Sequence, residues 1–318
     1  MKNFFRFAGY LLGGLTLILL GFAAWVTWTP MPDYVPQSIP VTVPTDSISL
    51  SAGRKIVATE CLMCHLGNDG KLSGRLFSRS SDPFGEIWSR NITRHPEKGI
   101  GAYTDGELAY LFRTGIKRNG EWAGPYMTNP NLSDNDLGAV IAYLRSDAPL
   151  VQPSEFDPPA PKYSFLAKAL VKSGAFAPKL YEIKPVAAPP ASDKVAYGKY
   201  LATARYACYR CHSASFETND DFIPENSKGY FGGGNLIGDA EFNITPSPNL
   251  TMSKEYGLAQ WTAEQFAVAV RTGARPDHKI LSPAMPRFGL LSDEEISAIW
   301  AYLNTVPVLD NKVVTAGQ

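Results

Sequence analysis

Cys61-Leu62-Met63-Cys64-His65 and Cys208-Tyr209-Arg210-Cys211-His212 decide how the rest of this chain is read. The two runs use every cysteine among the 318 residues, so no thiol is left over for a disulfide. Two thiols three residues apart on one helical turn can each form a thioether to a haem vinyl group, and the side chain that follows then meets the iron. That side chain is histidine both times. Two haem c groups are therefore expected, attached through Cys61, Cys64, Cys208 and Cys211, with His65 and His212 as proximal ligands. Two CxxC pairs can also make a four-cysteine zinc site, which leaves the histidines unexplained. A redox CxxC belongs beside a strand-helix-strand pattern, and neither run has one.

Working outward, the chain repeats itself. Arg113-Thr114-Gly115 recurs as Arg271-Thr272-Gly273, Pro125-Tyr126-Met127 as Pro283-Ala284-Met285, Leu132-Ser133-Asp134 as Leu291-Ser292-Asp293, and Ala142-Tyr143-Leu144 as Ala301-Tyr302-Leu303. Asn91-Ile92-Thr93 recurs as Asn243-Ile244-Thr245. The expectation is two copies of one haem domain, over 46–150 and 192–310.

Each copy is expected to be helical. Ser51 to Glu60 and Asp193 to Ala207 lead into the cysteine motifs. Thr104 with Glu107, and Thr262 with Gln265, have capping-box spacing and start helices that Gly115 and Gly273 stop. Ser133 and Ser292 cap last helices whose apolar residues fall at helical spacing. Gly53 and Gly198 would let each last helix cross the first one closely. Strand alternation is absent, so the predicted class is all-α: two tandem domains preceded by one membrane helix. Met127 and Met285 sit at one register in proline-fixed loops, which makes them the candidate sixth iron ligands, although a methionine standing alone is more often a core filler. His95 and His278 share no register and fit surface or propionate-side roles better than ligation.

Phe7 to Trp28 carries no ionisable group except Tyr10, and at about 1.5 Å per residue it spans a bilayer core. Trp25 and Trp28 stand where a cleavage site would, which favours an uncleaved anchor (1–29) over a signal peptide. Lys2 and Arg6 precede the span and Asp33 follows it. The basic end is expected inside, which puts the remaining chain on the periplasmic side of a bacterial inner membrane. A proline-rich stalk (30–45) would lift the first domain off the bilayer, a stiff proline-rich linker (151–191) would help hold the two haems at a fixed separation, and 311–318 is a tail. Within the linker only Tyr163 to Val171 can make a short helix. The charges balance at 30 basic and 30 acidic, which argues against nucleic acid as a partner. Membrane lipid and redox proteins are the expected partners. Acidic residues outnumber basic ones over 192–310, the pattern for docking a basic soluble cytochrome.

With CxxCH, the Asn-Ile-Thr element leading to Gly99-Ile100-Gly101-Ala102-Tyr103-Thr104-Asp105, the Arg-Thr-Gly helix ends and the methionine loops in view, the chain resembles membrane-attached multihaem cytochromes c. It is most similar to the cytochrome subunits of periplasmic alcohol and gluconate-type dehydrogenases. Those subunits have a third haem and a C-terminal anchor; this chain has two CxxCH motifs and an N-terminal apolar span. The resemblance implies that the Asn-Ile-Thr loops wrap the haem edge, with Asn91 and Asn243 near a propionate or the backbone and Arg113 and Arg271 supplying positive charge. It further implies respiratory electron transfer from a dehydrogenase or quinol-oxidising complex to an acceptor such as an oxidase, by an electron-transfer protein or subunit with no catalytic residue of its own. The alternatives are a dihaem peroxidase or sulfur-compound oxidoreductase with one substrate-accessible haem, and a redox sensor.

Overall fold

The computed structural model describes residues 2–178 and 184–313; the expected linker residues 179–183 and the end of the tail, 314–318, lie outside that description. Helix α1 (Lys2–Trp28) is long and apolar enough to cross a membrane. Its threonine hydroxyls are satisfied internally: Thr16 and Thr27 each donate to a carbonyl four residues back, as does Thr29 just beyond it.

The stretch expected to be a spacing stalk is instead a strap laid along the first module. The Tyr34 amide bonds Gly120 O at 2.8 Å, the Ile39 amide bonds Gly106 O at 3.2 Å, and the Ile39 side chain is buried. Side chains at 106 and 138 would collide with the carbonyls of Ile39 and Thr42, so these glycines leave the groove the strap fills.

In the first module α2 (Ser47–Ile56), capped by Asp46, runs through a π-helical turn at Val57–Cys61 into α3 (Leu62–His65). Two short strands, β1 (Leu76–Ser78) and β2 (Gly85–Trp88), pair antiparallel, and α4 (Asp105–Thr114) and α5 (Asp134–Arg145) complete the module. The linker adds β3 (Lys162–Tyr163) to β2 and then forms α6 (Phe165–Lys172) against α1. The second module repeats the plan. Helix α7 (Lys194–Tyr200), a π turn at Leu201–Arg205 and α8 (Cys208–His212) are followed by β4 (Leu236–Gly238) and β5 (Ile244–Pro246), then α9 (Ala263–Thr272) and α10 (Asp293–Leu303). A π turn closes each leading helix, ending on Cys61 in the first module and at Arg205, just short of Cys208, in the second.

The predicted caps form. Thr104 with Glu107, Thr262 with Gln265 and Ser292 with Glu295 make reciprocal capping boxes, and Gly115 and Gly273 adopt the left-handed conformation that ends a helix. Helix α5 crosses α2 where Gly53 lies under the Ala139 carbonyl, and α10 crosses α7 where Gly198 lies under that of Ala298. A Cβ at either glycine would strike that oxygen. Two separate cores result, one around Val57, Leu108, Ile141 and Leu144, the other around Leu201, Phe231, Ile299 and Leu303.

The fold is mostly helical, as expected, but the loops carry five short strands among the described residues. Each is two to four residues long and pairs within or beside a loop, too short for an alternation to register in the sequence.

A polar seam joins the modules. Arg205 from the second module grips Asp136 of α5 with two bonds, at 2.7 and 2.8 Å, and reaches Glu295 of α10 at 3.2 Å. Tyr200 donates to Asp136, Tyr206 to Glu295 at 2.9 Å, and Lys55 crosses from α2 to Glu295 at 3.0 Å. Asp136 and Glu295 occupy matching places at the starts of the two last helices, so one guanidinium ties both helix ends.

Candidate haem sites

Each cysteine motif ends in a buried histidine that is already oriented. His65 Nδ1 lies 2.7 Å from Arg90 O, and His212 Nδ1 lies 2.9 Å from Pro248 O. A carbonyl can only accept, so Nδ1 carries the proton and Nε2 keeps its lone pair for a metal. Burial lowers both imidazole pKa values, opposed by the carbonyl bond, which favours the neutral form that a ligand requires. Burial also raises the four thiols, Cys61, Cys208 and Cys211 to about 12 and Cys64 to about 11, the reverse of the low-pKa thiol of a redox CxxC. Among the described residues no three His, Cys, Asp or Glu side chains converge as a metal site built from protein ligands alone would need.

A cavity of about 840 Å³ opens beside α8 and is lined by Cys208, Cys211, His212, Phe231, Trp261 and Met285. That volume is in the range of sites for large ligands. A second, of about 450 Å³, lies between the modules, where Glu60, Cys64 and Tyr126 of the first face Cys208, Cys211 and Met285 of the second. Met285 therefore shares a cavity wall with His212. Met127 ends a 3-10 turn at Pro125–Met127, half-buried and next to Tyr126, which lines the second cavity. Aromatic rings bridge the modules there: Phe77 to Tyr126 at 5.3 Å and Tyr126 to Phe216 at 5.9 Å between centroids.

None of the four residues expected at the haem edge lines either cavity, and Asn91 takes backbone partners, one of the two kinds expected of it. Arg113 is buried, but its guanidinium donates to Pro130 O and Leu132 O and pairs with Asp134 at 2.7 Å. Arg271 likewise takes Leu291 O and Asp293. Both arginines hold the loop that enters the last helix. Asn243 is exposed on the β4–β5 hairpin and bonds Asp239, outside the cavity. The counterpart of Asn91 is Asn249. Asn91 donates to Ser154 O and Phe156 O and accepts from Thr93; Asn249 donates to Leu309 O and Asn311 O and accepts from Thr251. Each follows directly on the residue whose carbonyl orients the histidine, so the amide braces that carbonyl's loop against the chain leaving the module. His95 is a loop clamp, its Nδ1 accepting from the amides of Glu97 and Lys98 and its Nε2 facing Glu155, and His278 is exposed in a turn.

Side chains that the sequence did not flag fit a propionate-bearing macrocycle. Ser247 Oγ and Arg275 Nε, on residues lining the larger cavity, and Trp122 Nε1, on one lining the smaller, are buried polar atoms with no hydrogen-bond partner. Buried polar groups rarely stay unpaired, so atoms like these suit a ligand's carboxylates. Repetition could not reveal Trp122, because its place in the second copy is taken by Ile280, which makes the same backbone bridge.

The sequence model of the cytochrome c family matches residues 50–147 and again 195–307, more than half of the chain. The chain belongs to the cytochrome c family. Membership implies haem c, and the residues described above fit it. The chain is 28% identical over 273 residues to the fructose dehydrogenase cytochrome subunit of Gluconobacter japonicus, covering 81% of this chain and 53% of that one. It is 29% identical over 266 residues to the gluconate 2-dehydrogenase cytochrome c subunit of Pantoea cypripedii, covering 80% and 58%. A diheme cytochrome c-type protein of Cereibacter sphaeroides is 26% identical over 314 residues, covering 94% and 99%. The chain thus spans little more than half the length of these dehydrogenase subunits.

Proposed function

We propose that this cytochrome c family protein is a membrane-tethered dihaem electron carrier that accepts electrons from a dehydrogenase or quinol-oxidising complex and delivers them to an acceptor such as an oxidase. Haem c supplies a one-electron iron couple at each module. Cys61, Cys64, Cys208 and Cys211 would hold it covalently, His65 and His212 would bind iron through Nε2, and Met127 and Met285 would supply the remaining protein ligands. Histidine with methionine as the ligand pair would leave the iron no place for substrate and would favour the reduced state. The protein's remaining work is burial, orientation and docking. The observation that carries the reading is the shared cavity between the modules, onto which Cys64, Cys208 and Cys211 all open. Both attachment motifs reach one space, so an electron entering one module has a short path to the other. The apolar α1 would anchor the carrier in the inner membrane with its modules on the periplasmic side.

The test is purification from detergent-solubilised membranes. A dehydrogenase is expected to accompany the chain, and its haems to become reduced when that dehydrogenase's substrate is added. Isolation without such a partner, together with peroxide turnover by the chain itself, would replace the carrier with a dihaem peroxidase.

A further inference from the structure

We propose that α6 is an interfacial helix that lies in the lipid headgroup layer beside the anchor and fixes how the haem modules sit on the membrane. The inference rests on the membrane-anchor reading of α1. Lys172, at the end of α6, donates its ammonium to the terminal carbonyls of the anchor, Val26 O at 2.7 Å and Thr29 O at 2.5 Å, and to Thr29 Oγ1 at 3.0 Å. These are carbonyls that no longer have partners inside the helix, and a cation there complements the helix dipole. Val26 is buried in this contact region although α1 is otherwise exposed along most of its length. The bond ties one end of α6 to the level of Trp25 and Trp28, residue types that settle at membrane interfaces.

At about 1.5 Å per residue an eight-residue helix is only about 12 Å long, so no part of α6 can be far from that level. Phe165 lies seven residues before Lys172, two turns back on the same face, and is 50% exposed; its neighbour Leu166 is 48% exposed. The segment from Lys162 to Lys172 has three lysines and no acidic residue, the composition expected beside anionic headgroups. The other end of α6 is fastened to the first module. The Ser164 amide donates to Phe84 O at 3.1 Å, its hydroxyl donates to Pro83 O at 2.6 Å, and β3 pairs with β2. Helix α6 is thus a rigid bracket from anchor to module, with two bulky apolar side chains left for lipid.

Spin labels on F165C and L166C, in the full haem-loaded chain reconstituted into phosphatidylethanolamine–phosphatidylglycerol vesicles, test the assignment. L17C reports on the anchor and V268C on the second module. Retained haem absorbance shows that each variant folds. The expected result is that oxygen collides with the labels at 165 and 166 more often than a water-soluble nickel chelate does, as at 17, with the opposite order at 268. Lipid access at 17 with water access at 165 and 166 overturns the inference while leaving the anchor standing. Water access at 17 as well removes the anchor reading and the inference together. Labels at 165 and 166 shielded from both reagents identify a protein occupant and equally overturn it.

Discussion

Met127 and Met285 carry the residue-scale argument. If each supplies the sixth ligand of one module, replacing either by leucine removes about half of the sulfur-to-iron absorption at the red end of the visible spectrum and lowers one of two midpoint potentials. A spectrum that survives both replacements would exclude the methionines. Glu60, one residue before the first cysteine and facing Arg210 across the modules, is the titratable group to follow. Burial raises its carboxyl to about 7, against the opposing charge of Arg210. Above that pH it ionises, and the added negative charge favours oxidised iron. The midpoint potential of one haem is therefore expected to fall as pH rises through about 7, by at most about 59 mV per pH unit for one proton per electron. E60Q should flatten that slope. An unchanged slope in E60Q would assign the effect to another group. The same scale shows where the sequence misled: Asn243 repeats the letters of Asn91, whereas Asn249 repeats its bonds. Register is set by which carbonyl meets each histidine, and that pairing is tertiary.

At the scale of elements, what the sequence made legible was local chemistry. Caps at Thr104, Thr262, Ser133 and Ser292 and stops at Gly115 and Gly273 each depend on neighbours within one helical turn, so the pattern alone located them. Gly53 and Gly198 were legible because they recur at one place in the two copies. Either glycine changed to alanine forces α2 off α5 or α7 off α10, and about 1–3 kcal/mol of destabilisation is expected from such overpacking. Chemical denaturation of G53A and G198A measures it, and midpoints equal to wild type would show that the crossing tolerates a methyl group. The strap at 33–44 and strand β3 were not legible. Proline spacing says that a segment is not helical and says nothing of the groove that receives it.

The seam that joins the modules belongs to the whole molecule and lay beyond any repeat. Lys55, Asp136, Arg205 and Glu295 come from four different elements, and Arg205 has no arginine at its counterpart position. R205A leaves two buried carboxylates without their shared cation. A loss of about 3–5 kcal/mol is expected, seen as a lower denaturation midpoint and looser contact between the modules; wild-type stability would show that the seam is ornamental. Burial raises the Glu295 carboxyl, but the Ser292 amide, Lys55 and Tyr206 together hold it below its ordinary value of 4.5. A carboxyl depressed on folding stabilises above its unfolded pKa and loses that contribution as pH falls through the folded one. The seam should accordingly loosen below about pH 4.5 and hold at neutral pH, and small-angle scattering across that range would register the modules parting.

Quantitative pyridine haemochrome analysis of the purified chain, read beside its intact mass, decides whether each module carries its own haem. Two covalently bound haems per polypeptide are expected, falling to one in C61A/C64A and to one in C208A/C211A. A wild-type mass equal to that of the bare polypeptide, or one haem that persists through both double replacements, would contradict it.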